Sequence, residues 1–164
     1  MIKGVEVKDL KIFLDDRGYL YEITRFNDKI FNGEKIKQTT FSHLFPDAVK
    51  AFHYHKNQTD WVVCVEGNVK LIMVDFREHL KKGIASVEGK EEELRNKLVP
   101  VVYYLGERKP MLIKVPKGVW HGYTAVGGKP ASIIYFTDQV YNSEDEHRIP
   151  WDFFGKKLWE VENK

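Results

Sequence analysis

The chain has 164 residues, 43% of them hydrophobic, enough for one globular core. Its 26 Lys+Arg and 24 Asp+Glu nearly cancel to a net charge of +2, which excludes the broad basic face of a nucleic-acid binder. No apolar run approaches the roughly 18 residues of a membrane span, and Met1-Ile2-Lys3-Gly4 opens no signal-like apolar segment, so no membrane partner is expected.

Strand signals then dominate in chain order. Short runs rich in Val, Ile, Thr and aromatics predict strands at 5–14, 19–26, 35–42, 49–55, 61–65, 69–76, 101–105, 111–115, 120–125 and 131–137. Turn residues separate them: Asp16-Arg17-Gly18, Asn32-Gly33, Glu66-Gly67-Asn68 and Gly127-Gly128. Glu66-Gly67-Asn68 reads as a tight hairpin, because Gly and Asn tolerate positive φ. The stretch 81–100 reads as a polar insertion carrying one helix at 90–98. There Glu91 precedes Arg95, and Glu93 precedes Lys97, at the favourable i,i+4 spacing. Its charges read as a solvated face. The aromatic tail 151–164 is expected to pack its tryptophans on the strands. With no repeat, linker or low-complexity stretch, residues 1–164 read as a single all-β domain, a jelly roll or small barrel with a short helical insertion. The single cysteine, Cys64, lies in the apolar run Trp61-Val62-Val63-Cys64-Val65. It has no internal disulfide partner and reads as a buried strand thiol rather than a nucleophile, which fits a reducing cytoplasm.

Chemistry concentrates in two segments. His53-Tyr54-His55 is followed by Asp60 and Gly67, and Pro116-Lys117-Gly118-Val119-Trp120-His121 comes later. On a strand His53 and His55 share a face, and two buried imidazoles need partners for their ring nitrogens. Three imidazoles and a carboxylate suit a divalent ion such as Zn, Fe, Ni or Mn, or a sugar site with a histidine base. They also suit simple hydrogen bonding inside a barrel. The spacings are those of the two cupin motifs, His-x-His…acid…Gly and Pro-x-Gly-x-x-His, and so resemble a double-stranded β-helix (cupin jelly roll). Asp60 stands where most metal cupins have Glu, and Ala125 where the second motif usually has Asn.

Further anchors narrow the resemblance. Asp15-Asp16-Arg17-Gly18-Tyr19-Leu20-Tyr21-Glu22 is similar to the Asp-x-Arg-Gly-aromatic-x-x-Glu segment of dTDP-4-dehydrorhamnose 3,5-epimerases. Gln38 and Ser42 precede Lys50-Ala51-Phe52-His53 at the family's distance, and the latter resembles its Arg-Gly-Leu-His. Val115–Tyr123 resembles its Ile-Pro-x-Gly-x-x-His-Gly-Phe, and Tyr135 falls on its tyrosine, with Tyr141, Glu146 and Trp151 at matching offsets. The resemblance implies an epimerase or ketoisomerase for a nucleotide-linked 4-keto-6-deoxy sugar, in surface-polysaccharide synthesis. It implies His53 as base and Tyr135 as acid, with Arg17, Glu22, Gln38, Lys50 and His121 contacting substrate. It also implies no cofactor and a homodimer sharing an N-terminal strand. Residue by residue, two plainer readings stand beside this: Arg17 as a surface turn arginine, Tyr135 as an ordinary strand aromatic.

Three departures qualify the resemblance. Lys50 replaces the family's arginine and loses its bidentate fork. Asp60 aligns with the family's enolate-steadying lysine. The aspartate that orients the family's histidine belongs to a C-terminal tail with no counterpart before Lys164. The alternatives are a metal-dependent cupin enzyme, with a divalent ion on His53, His55, Asp60 and His121, and a non-catalytic sugar-binding cupin.

Overall fold

The computed structural model describes residues 1–83 and 87–161. Its strands are β1 (Glu6–Asp9), β2 (Phe13–Asp15), β3 (Gly18–Leu20), β4 (Gln38–Leu44), β5 (Val49–His55), β6 (Asp60–Glu66), β7 (Asn68–Asp75), β8 (Val101–Gly106), β9 (Met111–Val115), β10 (Val119–Ala125), β11 (Ala131–Thr137) and β12 (Glu146–Arg148). The helices are α1 (Arg77–Lys81) and α2 (Glu91–Lys97). Two five-stranded antiparallel sheets form, in the orders β1-β9-β6-β11-β4 and β12-β5-β10-β7-β8. This is the expected all-β jelly roll, with α2 in the expected insertion and the short α1 just ahead of it.

Period-two alternation explains how the sheets pack. Val62 and Cys64 of one sheet meet Leu71 and Met73 of the other in the inner core. The alternate residues Trp61 and Val63 point outward under Leu10, Ile30 and Phe31. On the other sheet Phe52, Tyr54, Val74 and Trp120 point outward under Leu94, Ile149, Phe153 and Trp159. Both sheets are therefore covered on both faces, which is why β9 and β10 are buried throughout. α2 supplies the Leu94 lid and forms where its pattern requires. Its Glu93–Lys97 pair closes at 2.7 Å, whereas Arg95 instead lies 5.1 Å from the Phe153 ring centroid. The tail packs as expected through Trp159, which lies against Phe52, while Trp151 stays 41% exposed.

Several boundaries differ from the sequence reading. The run 5–14 splits into β1 and β2 because Leu10 turns into the outer core and its amide bonds to the Pro110 carbonyl. Of 19–26 only the first residues pair, as β3 against β2. The short α1 and the polar β12 carry too little periodicity to be read. Glu66-Gly67-Asn68 is not a hairpin. It carries the chain from β6 in one sheet to β7 in the other. Gly67 takes φ +69° there, and a Cβ would lie 3.2 Å from the Ala131 Cα.

One irregularity shapes the interior. Opposite β10, His53 pairs with His121 and Lys50 with Tyr123, so Ala51 and Phe52 together oppose Gly122 alone. This bulge turns both Ala51 and Phe52 outward, and lets Lys50 and His53, three residues apart, both face inward. Gly122 is required at the crossing: a Cβ would fall 2.7 Å from the Ala51 Cα and 3.0 Å from the Lys50 carbonyl oxygen. Gly122→Ala is therefore expected to lower the urea midpoint, by roughly 2 kcal/mol or more of stability. Burial pushes the Cys64 thiol up to about 11. Cys64 is expected to resist disulfide reagents at pH 8 in the native protein and to react at once in denaturant.

Candidate active site

The inner faces of the two sheets diverge at one end to leave a cavity of about 460 Å³. β5 contributes Lys50, His53 and His55; β10 contributes His121 and Tyr123; β6 contributes Asp60; β11 contributes Tyr135; and β4 contributes Gln38. All are inward positions of their strands, so the alternation that builds the core also builds the site.

The floor is a contact between sheets. The His121 Nε2 atom lies 3.1 Å from the Asp60 Oδ2 atom, and both residues are under 5% exposed. His55 Nε2 lies 3.9 Å from the same oxygen. The other oxygen of Asp60 accepts a 2.7 Å hydrogen bond from the Gln58 side-chain amide. The His121 Nδ1 atom is 3.0 Å from the Val119 carbonyl oxygen, which can only accept, so this nitrogen carries the proton. The loop before Asp60 is itself held by buried carboxylates. Asp145 accepts from the Lys56 and Asn57 amides, and Asp138 accepts from the Thr59 amide at 2.8 Å.

His53 stands beside this floor, its ring centroid 4.1 Å from that of His121 and 5.5 Å from that of His55. Burial, then the neighbouring His121, His55 and Arg148, holds its pKa well below the ordinary imidazole value. The ring is therefore neutral at pH 7 and free to accept a proton. Tyr135 projects from the opposite sheet. Burial raises its pKa against a lowering hydrogen bond from Thr40, so its phenol keeps its proton. Burial likewise raises Tyr123 above the ordinary phenol range.

The expected residues divide. His53, His55, Asp60, His121, Tyr135, Gln38 and Lys50 converge on the cavity. Lys50 Nζ donates to Ser42 Oγ at 2.7 Å, spanning from one sheet to the other. The Gln38 side chain accepts from the Tyr141 amide at 2.9 Å. Arg17 and Glu22 lie outside it. Arg17 sits at the β2–β3 turn, exposed and bonded to Asp15, and Glu22 pairs with Arg25. Sequence reasoning missed Gln58, Tyr123 and Arg148 as lining residues. Gln58 is a polar residue in a polar turn, and Arg148 is on the short β12, so neither carried a pattern. Arg148 donates to Glu146 at 2.8 Å, and Glu146 also accepts from the Tyr141 hydroxyl at 3.3 Å, which makes a polar mouth.

The family model for dTDP-4-dehydrorhamnose 3,5-epimerase matches residues 1–154. The chain belongs to the dTDP-4-dehydrorhamnose 3,5-epimerase family. It is 40% identical over 154 residues to the spore coat polysaccharide biosynthesis protein SpsL of Bacillus subtilis (strain 168), covering 93% of this chain and 91% of that one. It is 30% identical to the probable low-salt glycan biosynthesis epimerase Agl13 of Haloferax volcanii, over 92% of this chain and 89% of that one. Among solved structures, a dTDP sugar isomerase from Desulfovibrio desulfuricans G20 superposes with a TM-score of 0.76 at 20% identity, covering 98% of this chain and 91% of that one, and so shares the fold. Within this family the chain is an epimerase-like isomerase of sugar nucleotides, in polysaccharide biosynthesis. No helix among the described residues is long and apolar enough to cross a membrane.

Removing Asp60 strands three partners at once: His121 Nε2, His55 Nε2 and the Gln58 amide. Asp60→Ala is expected to cost about 3–5 kcal/mol of stability in urea denaturation, and Asp60→Asn less, because its amide oxygen still accepts.

Proposed function

We propose that the cavity binds a nucleotide-linked 4-keto-6-deoxy sugar and moves a proton on a carbon next to the keto group. The reading rests on one observation: a neutral histidine and a protonated tyrosine project from opposing sheets into one cavity. His53 takes the proton as the C–H bond breaks, and the electron pair moves onto the keto oxygen to form an enolate. The Tyr135 phenol then delivers a proton to the other face of that carbon, solvent reprotonates the tyrosinate, and the His53 imidazolium returns its proton to solvent. Net inversion requires the two groups to lie on opposite faces, which opposed sheets supply. These transfers need no organic cofactor. Gln38, Lys50 and His121 line the space around the sugar, and the setting we infer is cytoplasmic.

The β2–β3 hairpin fits a homodimer. Among the described residues its strands pair only with each other, and Phe13, Leu14, Tyr19 and Leu20 are exposed. In this reading the hairpin lies on a second copy, and Arg17 reaches the mouth of the partner's cavity, where a guanidinium suits a pyrophosphate.

The test is solvent exchange. Incubated in D₂O with a dTDP-linked 4-keto-6-deoxyhexose, the protein is expected to place deuterium on a carbon adjacent to the ketone. His53→Gln should slow this by about 10²–10⁴-fold, and Tyr135→Phe should suppress the inverted product more than the exchange. Binding without any exchange would overturn the reading in favour of a sugar-binding protein.

A further inference from the structure

Proton abstraction next to a ketone puts negative charge on the keto oxygen, and a buried site must meet that charge with a donor. Most of the inward polar groups are already engaged. Asp60 faces Gln58, His121 and His55, and as a carboxylate it can only accept. His121 turns one ring nitrogen to Asp60 and the other to the Val119 carbonyl. The Gln38 amide nitrogen donates to Thr40 Oγ1 at 3.1 Å. Lys50 Nζ donates to Ser42 Oγ at 2.7 Å and to the His43 carbonyl at 3.3 Å.

Tyr123 is differently placed. It lies two residues beyond His121 on β10, so alternation turns it into the cavity on the same face. It stands opposite Lys50, across the bulge from the His53–His121 pair, and is only 7% exposed. Burial first, then the neighbouring Tyr135, raises its pKa, and a hydrogen bond from Ser42 opposes them. The phenol therefore keeps its proton at pH 7. It shares a sheet with the base and neighbours the acid on the other sheet, which is where the oxygen on the reacting carbon's neighbour must sit.

The hydrogen bonds also set where the phenol proton goes. A bond that lowers a phenol's pKa is one donated to its oxygen, so the Ser42 hydroxyl gives its hydrogen to Tyr123. Ser42 Oγ in turn accepts from the Lys50 ammonium. The series Lys50, Ser42, Tyr123 begins at a cation and ends at a phenol hydrogen with no acceptor among the described residues. Each link polarises the next, which strengthens the last donor.

We propose that Tyr123 is a further catalytic residue, whose hydroxyl donates a hydrogen bond to the substrate's keto oxygen as the enolate forms. This rests on the reading of the cavity as a keto-sugar site. The phenol keeps its proton throughout. Its role is thus separate from that of Tyr135, which delivers a proton to carbon. Tyr123 acts on enolate formation, the step that exchange and inversion share, whereas Tyr135 acts after it.

The experiment follows deuterium incorporation and inverted product together, in D₂O with a dTDP-linked 4-keto-6-deoxyhexose. Tyr123→Phe keeps the ring and is expected to slow both by the same factor, about 10²–10³-fold in kcat, with KM changed by less than about threefold. Ser42→Ala removes the middle link and should slow both by about three- to tenfold. Circular dichroism confirms that each variant is folded, and Ser42→Ala keeps the test open if Tyr123→Phe is not. Undiminished exchange in either folded variant overturns the inference alone. So does a raised KM at unchanged kcat, which assigns Tyr123 to binding only. Loss of inversion with exchange retained in Tyr123→Phe makes it a proton donor to carbon and overturns the enolate role. No exchange in the wild type overturns the reading of the cavity, and this inference with it.

Discussion

The contact between Asp60 and His121 is the constraint on which the cavity depends. One residue belongs to each sheet, and both are buried where the inner faces begin to part. A buried carboxylate is tolerated only with partners, and Asp60 has them on every side: Gln58 on one oxygen, His121 and His55 on the other. The demand propagates outward. Gln58 and Asp60 are placed by a loop whose amides are taken up by Asp138 and Asp145. The polar floor is thus supported by polar residues that never touch the cavity's contents.

Two-sided burial supplies the rigid frame. The C-terminal aromatic segment and α2 cover one sheet, and the stretch around Ile30 and Phe31 covers the other. A side chain on an inner face therefore has only two environments, the packed core or the cavity. Residues of one strand, such as Asp60 and Val62, pass from one to the other over a single pleat repeat. The bulge at Ala51–Phe52 departs from strict alternation, and it brings a lysine ammonium to the same wall as the base. Gly122 is part of the site in this sense although it presents no side chain.

The electrostatics of the cavity are uneven. His53 is kept neutral by burial and by flanking imidazoles, and Tyr135 is kept protonated by burial and by nearby carboxylates. One sheet wall can take a proton and the other can give one. A base and an acid held in those states need no further activation before a carbon acid of suitable acidity is placed between them.

Much of this was legible in the chain. Strand 49–55 and the runs 111–115 and 131–137 were readable to the residue, because apolar stretches bounded by turn residues carry a strong local signal. Alternation put His53 and His55 on one face, and the resemblance carried by the Pro-x-Gly-x-x-His spacing and Tyr135 pointed to one pocket. The polar β12, Gln58 and Arg148 were not legible, because short polar segments carry no periodicity. Only the tertiary structure decided that Glu66-Gly67-Asn68 changes sheet and that Lys50 turns inward. It also left Arg17 and Glu22 outside the cavity and set His121 against Asp60. Each of these depends on how two sheets meet or on a bulge opposite a glycine, which are contacts between residues far apart in sequence and beyond the reach of local pattern.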